Sequence, residues 1–184
     1  MAKRPKLIKM KTIFATALAF LLAFPIFSLP NGYSSAKLGM DIDSLKEALK
    51  NDHQFGYRGD RDVSLSPSDG QFLIETDGSQ FGFSFLERCW FQFAQDKLYI
   101  ITLNLDRNKV DHYSVFSKLC EKYGNPDEIS PKKSVWRDDN VVLSLEKPLT
   151  LKYVDAKVFD SKKDSSNVEK TTAEKARDDF LDSL

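Results

Sequence analysis

Two cysteines and two histidines are all that this 184-residue chain offers for thiol, imidazole or soft-metal chemistry. His53 and His112 stand far apart and in no His-Glu-x-x-His spacing. Together with the widely separated Cys89 and Cys120 they make no zinc set, and that separation also excludes a thioredoxin-type pair. No Gly-x-Ser-x-Gly elbow supports a Ser–His–Asp hydrolase, and none of the eight glycines builds a phosphate-cradling loop. The turns Ser66-Pro67-Ser68-Asp69-Gly70 and Asp106-Arg107-Asn108 are rich in Asx but miss the calcium-loop pattern. Ordinary turn chemistry explains both. The sequence therefore predicts no catalytic, metal or cofactor-binding residues.

Acid is missing from the first 36 residues, which carry Lys3, Arg4, Lys6, Lys9 and Lys11 ahead of an apolar run from Ile13 to Phe27. Ser34 and Ala36 then supply small residues at the −3 and −1 positions, so the pattern reads as an export signal cleaved after Ala36. The run is shorter than the roughly 20 residues that span a bilayer. No cysteine follows it to accept a lipid. The expected mature protein is exported, periplasmic or secreted, without an integral membrane span. Removing the leader takes away five of the 27 basic residues and none of the 27 acidic ones, leaving a net charge of about −5. Such a surface argues against nucleic acid and anionic lipid as partners and leaves an envelope or extracellular protein.

What remains is long enough for one domain with a real core, expected at 37–159, followed by a charged tail at 160–184. Ser44 and Glu47 form a capping-box pattern for a first short helix. Between 71 and 105 the apolar period is two, predicting a three-stranded meander. In its clearest strand Phe81, Phe83, Phe85, Cys89, Phe91 and Phe93 share parity; Glu87 breaks it, the mark of a bulge or an edge. Val115, Phe116, Leu119, Cys120 and Tyr123 predict a second helix from about Asp111 to Tyr123, closed by Gly124-Asn125-Pro126. Two further strands follow, carrying Val141, Leu143 and Leu145, then Leu149, Leu151 and Tyr153. In the tail, Thr171 and Glu174 form another capping box for a possible amphipathic terminal helix. The fold class expected is α+β: an antiparallel sheet of about five strands with helices packed on one face.

Three features stand out as candidate sites. Cys89 and Cys120 both face the expected sheet–helix interface in an oxidising compartment, and a disulfide between them would stabilise the fold by about 3–4 kcal/mol. Trp90 has the opposite parity to the phenylalanines, so Leu86, Arg88, Trp90 and Gln92 are expected to form an exposed contact surface. Arg58-Gly59-Asp60 spells an adhesion tripeptide in an expected loop, with a turn built on Gly59 as the plain alternative.

Tyr113, Leu119, Tyr123-Gly124-Asn125-Pro126, Trp136, Val141-Val142-Leu143-Ser144-Leu145 and Leu151-Lys152-Tyr153 together resemble a group of small exported bacterial proteins of unknown function. In these, a helix ending in Tyr-Gly-x-Pro leads into a Trp-bearing hairpin. The two-layer form is also similar to BamE-type outer-membrane assembly lipoproteins and to beta-lactamase-inhibitor-like domains. The resemblance implies a non-enzymatic binding or adaptor role by protein–protein contact. A small secreted hydrolase, or an adhesin using Arg58-Gly59-Asp60, are the alternatives.

Overall fold

The apolar alternation does build antiparallel strands, but more of them than expected and in a different arrangement. The computed structural model describes residues 28–65 and 72–163, and residues 177, 180, 181 and 183 near the end. The charged leader and its apolar run, the 66–70 turn and the 171–174 capping box lie outside the described residues. A two-stranded hairpin, β1 (Gly32–Tyr33) and β2 (Ala36–Lys37), precedes helix α1 (Ile42–Asn51). One meander follows: β3 (Val63–Leu65), β4 (Phe72–Asp77), β5 (Leu86–Ala94) and β6 (Lys97–Leu105). Helix α2 (His112–Tyr123) leads to a second meander of β7 (Glu128–Ile129), β8 (Lys133–Arg137), β9 (Val141–Glu146) and β10 (Thr150–Asp155). A third helix, α3, starts at residue 156 and continues at least to 163.

The two meanders join where β10 pairs with β6, giving one eight-stranded antiparallel sheet in the order β3-β4-β5-β6-β10-β9-β8-β7. The protein is therefore mostly β, and the five-stranded α+β arrangement is corrected. Three strands of this sheet escaped the sequence reading because β3 and β7 are very short and β8 has polar residues on both sides of Val135-Trp136.

Directly opposed residues in an antiparallel pair share a face. One apolar row thus crosses seven strands as Val63, Ile74, Phe91, Ile101, Tyr153, Leu143 and Trp136. The next row runs Thr76, Cys89, Leu103, Leu151, Leu145 and Ser134. The β1–β2 hairpin, α1, the 3₁₀ turn His53–Phe55 and α2 cover this face. Leu45 and Leu49 of α1 are buried, Phe55 stands edge-on to Phe91 at 5.6 Å, and Phe116 meets Trp136 at 6.0 Å. On the opposite face Val135, Val142 and Val154 line a cleft with Phe159 of α3. Helices therefore lie on both sides of the sheet, not on one.

Helix ends follow the expected chemistry with one shift. Asp111 caps α2 by accepting the Ser114 N–H at 2.9 Å. The cap of α1 is Asp41, which accepts from Ser44 N, so the helix begins two residues before Ser44. An aspartate aimed at the free N–H groups of a first turn serves better than the Ser44 box, since it adds a charge favoured by the helix dipole.

Both cysteines are free thiols, so the expected bridge is absent. Strand order is the reason. Cys89 lies on β5 beneath the α1 side of the core, whereas α2 packs on Trp136 of β8. Three strands separate β5 from β8, roughly 19 Å at the usual strand spacing. Burial pushes the Cys89 thiol up to about 12.

The segment ahead of α1 also packs on the core. Leu29 and Ala36 are buried, Leu29 N–H donates to Asp138 at 2.9 Å, and Tyr33 stands edge-on to Phe55 at 6.1 Å. Its hydroxyl lies 3.0 Å from Gln54 Oε1, to which it donates. Residues 29–37 thus pack against the domain, and the bond after Ala36 lies within the β1–β2 hairpin.

Cys89 should resist thiol reagents in the native protein and react only once denaturant opens the core, as followed by intact mass. Hydrogen bonds also hold several carboxylates below their ordinary value of 3.8. Ser44 N–H does this for Asp41 and the Ser114 side chain for Asp111; at Asp138, burial is outweighed by the N–H groups of Asn140, Val141 and Leu29. A folded-state value below the unfolded one gives stability that is present above pH 3.8 and lost as pH falls through the folded value. The melting temperature should be flat from pH 5.5 to 8 and drop below pH 4. Asp138→Ala should cost about 1–2 kcal/mol at neutral pH and show a shallower acid limb.

Candidate functional site

Phe81-Gly82-Phe83-Ser84-Phe85 does not continue β5; it forms a loop ahead of it. The 3₁₀ turn Gly78–Gln80 ends β4, and the loop returns to Leu86 with the rings of Phe81, Phe83 and Phe85 left 38%, 64% and 53% exposed. Phe81 and Phe83 lie with ring centres 5.6 Å apart. Nothing lies within 4 Å of where a Gly82 Cβ would be, so the tip stands in open space. A glycine inside a presumed strand, following directly on the Asp77-Gly78 turn, is the signal that could have identified the loop.

The loop is convex but not slack. Lys109 Nζ donates to the Gly82 and Ser84 carbonyls at 3.0 and 2.6 Å, and Asp106 N–H donates to the Phe85 carbonyl at 2.9 Å. Ser84 points inward: its hydroxyl donates to the Gln54 carbonyl at 2.7 Å and accepts from Leu86 N–H at 3.1 Å. The base is a close meeting of three backbone segments. A Cβ on Gly78 would stand 2.6 Å from Gln54 O and 2.8 Å from Leu86 O, and one on Gly56 would stand 2.0 Å from Asp77 O. Gly56 also holds φ +66°, a conformation that disfavours any side chain.

The expected Trp90 surface is only partly assembled. Between Leu86 and Cys89, β5 carries an extra residue relative to β6. This bulge at Glu87-Arg88 reverses the parity, so Leu86 pairs with Leu105 and is fully buried on the core side. Arg88 is exposed and pairs with Glu75 at 3.1 Å, while Trp90 and Gln92 are half-buried. Trp90 sits in a row with Glu75, Thr102, Lys152 and Ser144, so no apolar Trp–Leu patch exists.

In the Arg58-Gly59-Asp60 segment the two charges are already engaged. Arg58 Nε and Nη2 donate to Asp62 Oδ1 at 3.0 and 2.8 Å, and the Asp62 carboxylate, 5% exposed, also accepts the Arg58 backbone N–H. Asp60 pairs with Lys46 at 3.2 Å. Gly59 caps a 3₁₀ turn, Asp60–Asp62, that runs directly into β3.

His53 is exposed in its 3₁₀ turn, and His112 opens α2 with a buried Nε2 that has no protein partner. Four surface clefts of about 160–370 Å³ contain neither histidine nor cysteine. In one of them, Asp138 spends both carboxylate oxygens and Asp155 its Oδ1 on backbone N–H groups. Among the described residues no group of three or more His, Cys, Asp or Glu could hold a metal ion, and no helix is long and apolar enough to cross a membrane.

The tight base makes a direct prediction. Gly56→Ala should lower stability by about 2–4 kcal/mol through a clash with a backbone oxygen at positive φ, whereas Gly82→Ala should stay within about 0.5 kcal/mol. Urea unfolding of both variants checks this.

No curated protein and no solved structure matches the chain. The expected likeness to BamE-type proteins finds no support. Residues 31–165 match the family model described as the TP0088 domain, a span that takes in every strand from β1 to β10. The chain belongs to the TP0088 domain family.

Proposed function

We propose that this is an exported, non-enzymatic binding or adaptor protein of the cell envelope, acting by protein–protein contact through the Phe81-Phe83-Phe85 loop. The observation that carries the reading is an aromatic cluster held outward by a rigid base. Three partly exposed rings leave roughly 300 Å² of apolar surface in water, the size of a functional patch on a monomer. The cost of ordering the loop is met on folding, since Lys109, Ser84 and Asp106 already tie its backbone. A partner meets a preorganised display and has little further entropy to remove. The convex tip suits a partner with an apolar groove.

Magnitude limits the claim usefully. Burying this area yields about 7 kcal/mol at 25 cal/mol per Å², against an association cost of about 4 kcal/mol or more. The loop alone supports a weak contact, so flanking residues or a raised local concentration must contribute. Arg107 and Tyr113, both exposed close to the Lys109 end of the loop in sequence, are available for that role.

A variant carrying Phe81→Ser, Phe83→Ser and Phe85→Ser should keep the melting temperature of the parent protein within a few degrees. It should lose at least tenfold in recovery of a specific partner from envelope extract. Trp90→Ala should retain the partner. Equal recovery by the triple variant would remove the loop from the binding surface.

A further inference from the structure

We infer that the partner met by the Phe81-Phe83-Phe85 loop is a second copy of this chain, whose apolar cleft beside Phe159 receives the ring of Phe83. This rests on the reading of the loop as a contact surface and adds the shape and charge of its receptor.

The cleft lies on the sheet face turned away from α1 and α2. Val142 and Val154 are directly opposed across β9 and β10, Val135 of β8 lies one row over, and Phe159 of α3 forms a wall. The Ser144 hydroxyl donates to Glu146 at 3.0 Å, so this polar group on the floor keeps its bond when water leaves. The volume, about 160 Å³, is close to the roughly 150 Å³ of an apolar cavity that takes up benzene. Of the three rings in the loop, Phe83 is the most exposed, and it stands next to the open tip at Gly82. The cleft around Arg58, Arg61 and Arg88, by contrast, is walled by ion pairs and rejects an uncharged ring.

No residue of the loop lines the cleft of its own chain. The loop leads into β5, and three strand spacings, roughly 14 Å, separate β5 from β9. Lys109 and Asp106 hold the loop where it is, so the ring that fills the cleft comes from another molecule. Charge favours the same pairing. Lys133 and Lys152 stand at the cleft, and Glu87 stands at the foot of the loop after Leu86. None of these three forms an ion pair among the described residues. Two unpaired bases at the receptor thus meet an unpaired acid beside the ring.

Loop and cleft together bury roughly 600 Å², about half of what the smallest stable interfaces need, so the contact is transient and forms in concentrated protein. The two surfaces joined are different. Each added copy therefore leaves one loop and one cleft open, and the assembly is head-to-tail instead of a symmetric pair.

The experiment is sedimentation velocity, from about 10 μM to about 1 mM, on protein purified from cells that express the full chain. The expected result is a sedimentation coefficient that climbs with concentration. Phe83→Ser removes the ring and Val142→Glu charges the cleft, and each should hold the protein monomeric. Mixed in equal amounts, these two variants retain one competent contact, the loop of one with the cleft of the other, and should associate again as a pair. Lys133→Glu combined with Lys152→Glu leaves the apolar floor intact and serves if Val142→Glu does not fold. It should weaken association at least fivefold, and Glu87→Lys in the same chain should recover it. A parent protein that stays monomeric throughout that range overturns the proposal, as does a folded cleft variant that associates like the parent or a mixture that stays monomeric. If the parent is monomeric while the triple phenylalanine variant still loses an envelope protein of different mass, the loop remains a contact surface and only the second copy is wrong.

Discussion

The pairing of β10 with β6 is the contact on which the rest of the molecule depends. It joins Leu151 to Leu103 and Tyr153 to Ile101, turning two four-stranded meanders into one sheet with a continuous apolar row. Once that row spans seven strands, no single helix can cover it. The hairpin, α1 and the Phe55 turn take the β4–β6 half, and α2 takes the β8–β9 half. The same division keeps Cys89 and Cys120 apart and makes the amino-terminal hairpin a structural part of the domain.

The sheet also explains why the phenylalanine loop can exist. Its base wedges Gly56 and Gly78 against neighbouring backbone, and Ser84 replaces ladder hydrogen bonds that a strand would have made. Lys109, reaching over from the turn after β6, satisfies two further carbonyls. The aromatic surface is left in water while the Gly82, Ser84 and Phe85 carbonyls beneath it are already paired. A weak contact of this kind gains most when the protein is confined near its partner, because tethering raises effective concentration without any new interaction.

Much of the fold was legible. Helices α1 and α2, the β4–β6 meander and the β9–β10 pair follow from period and capping, and the Asp111 and Gly124 boundaries of α2 agree closely with the structure, whereas α3 was not foreseen. The candidate site was not. Phe81, Phe83 and Phe85 share the parity of Phe91, so alternation alone assigned them inward. One extra residue at Glu87-Arg88 reversed the register, burying Leu86 and breaking up the Trp90 surface. Glu87 marked the place, but its direction of effect depends on which partner residue it faces.

What the sequence by itself determined is local: where chains cap, turn and alternate, the scarcity of reactive side chains, and the basic leader with its apolar run. These follow from interactions between residues a few positions apart. Only the tertiary structure decided how many strands share one sheet, which faces they present, whether the cysteines meet, and where the domain begins. Each of those depends on long-range pairing and on backbone approach at Gly56 and Gly78, where the decisive atom belongs to a distant segment.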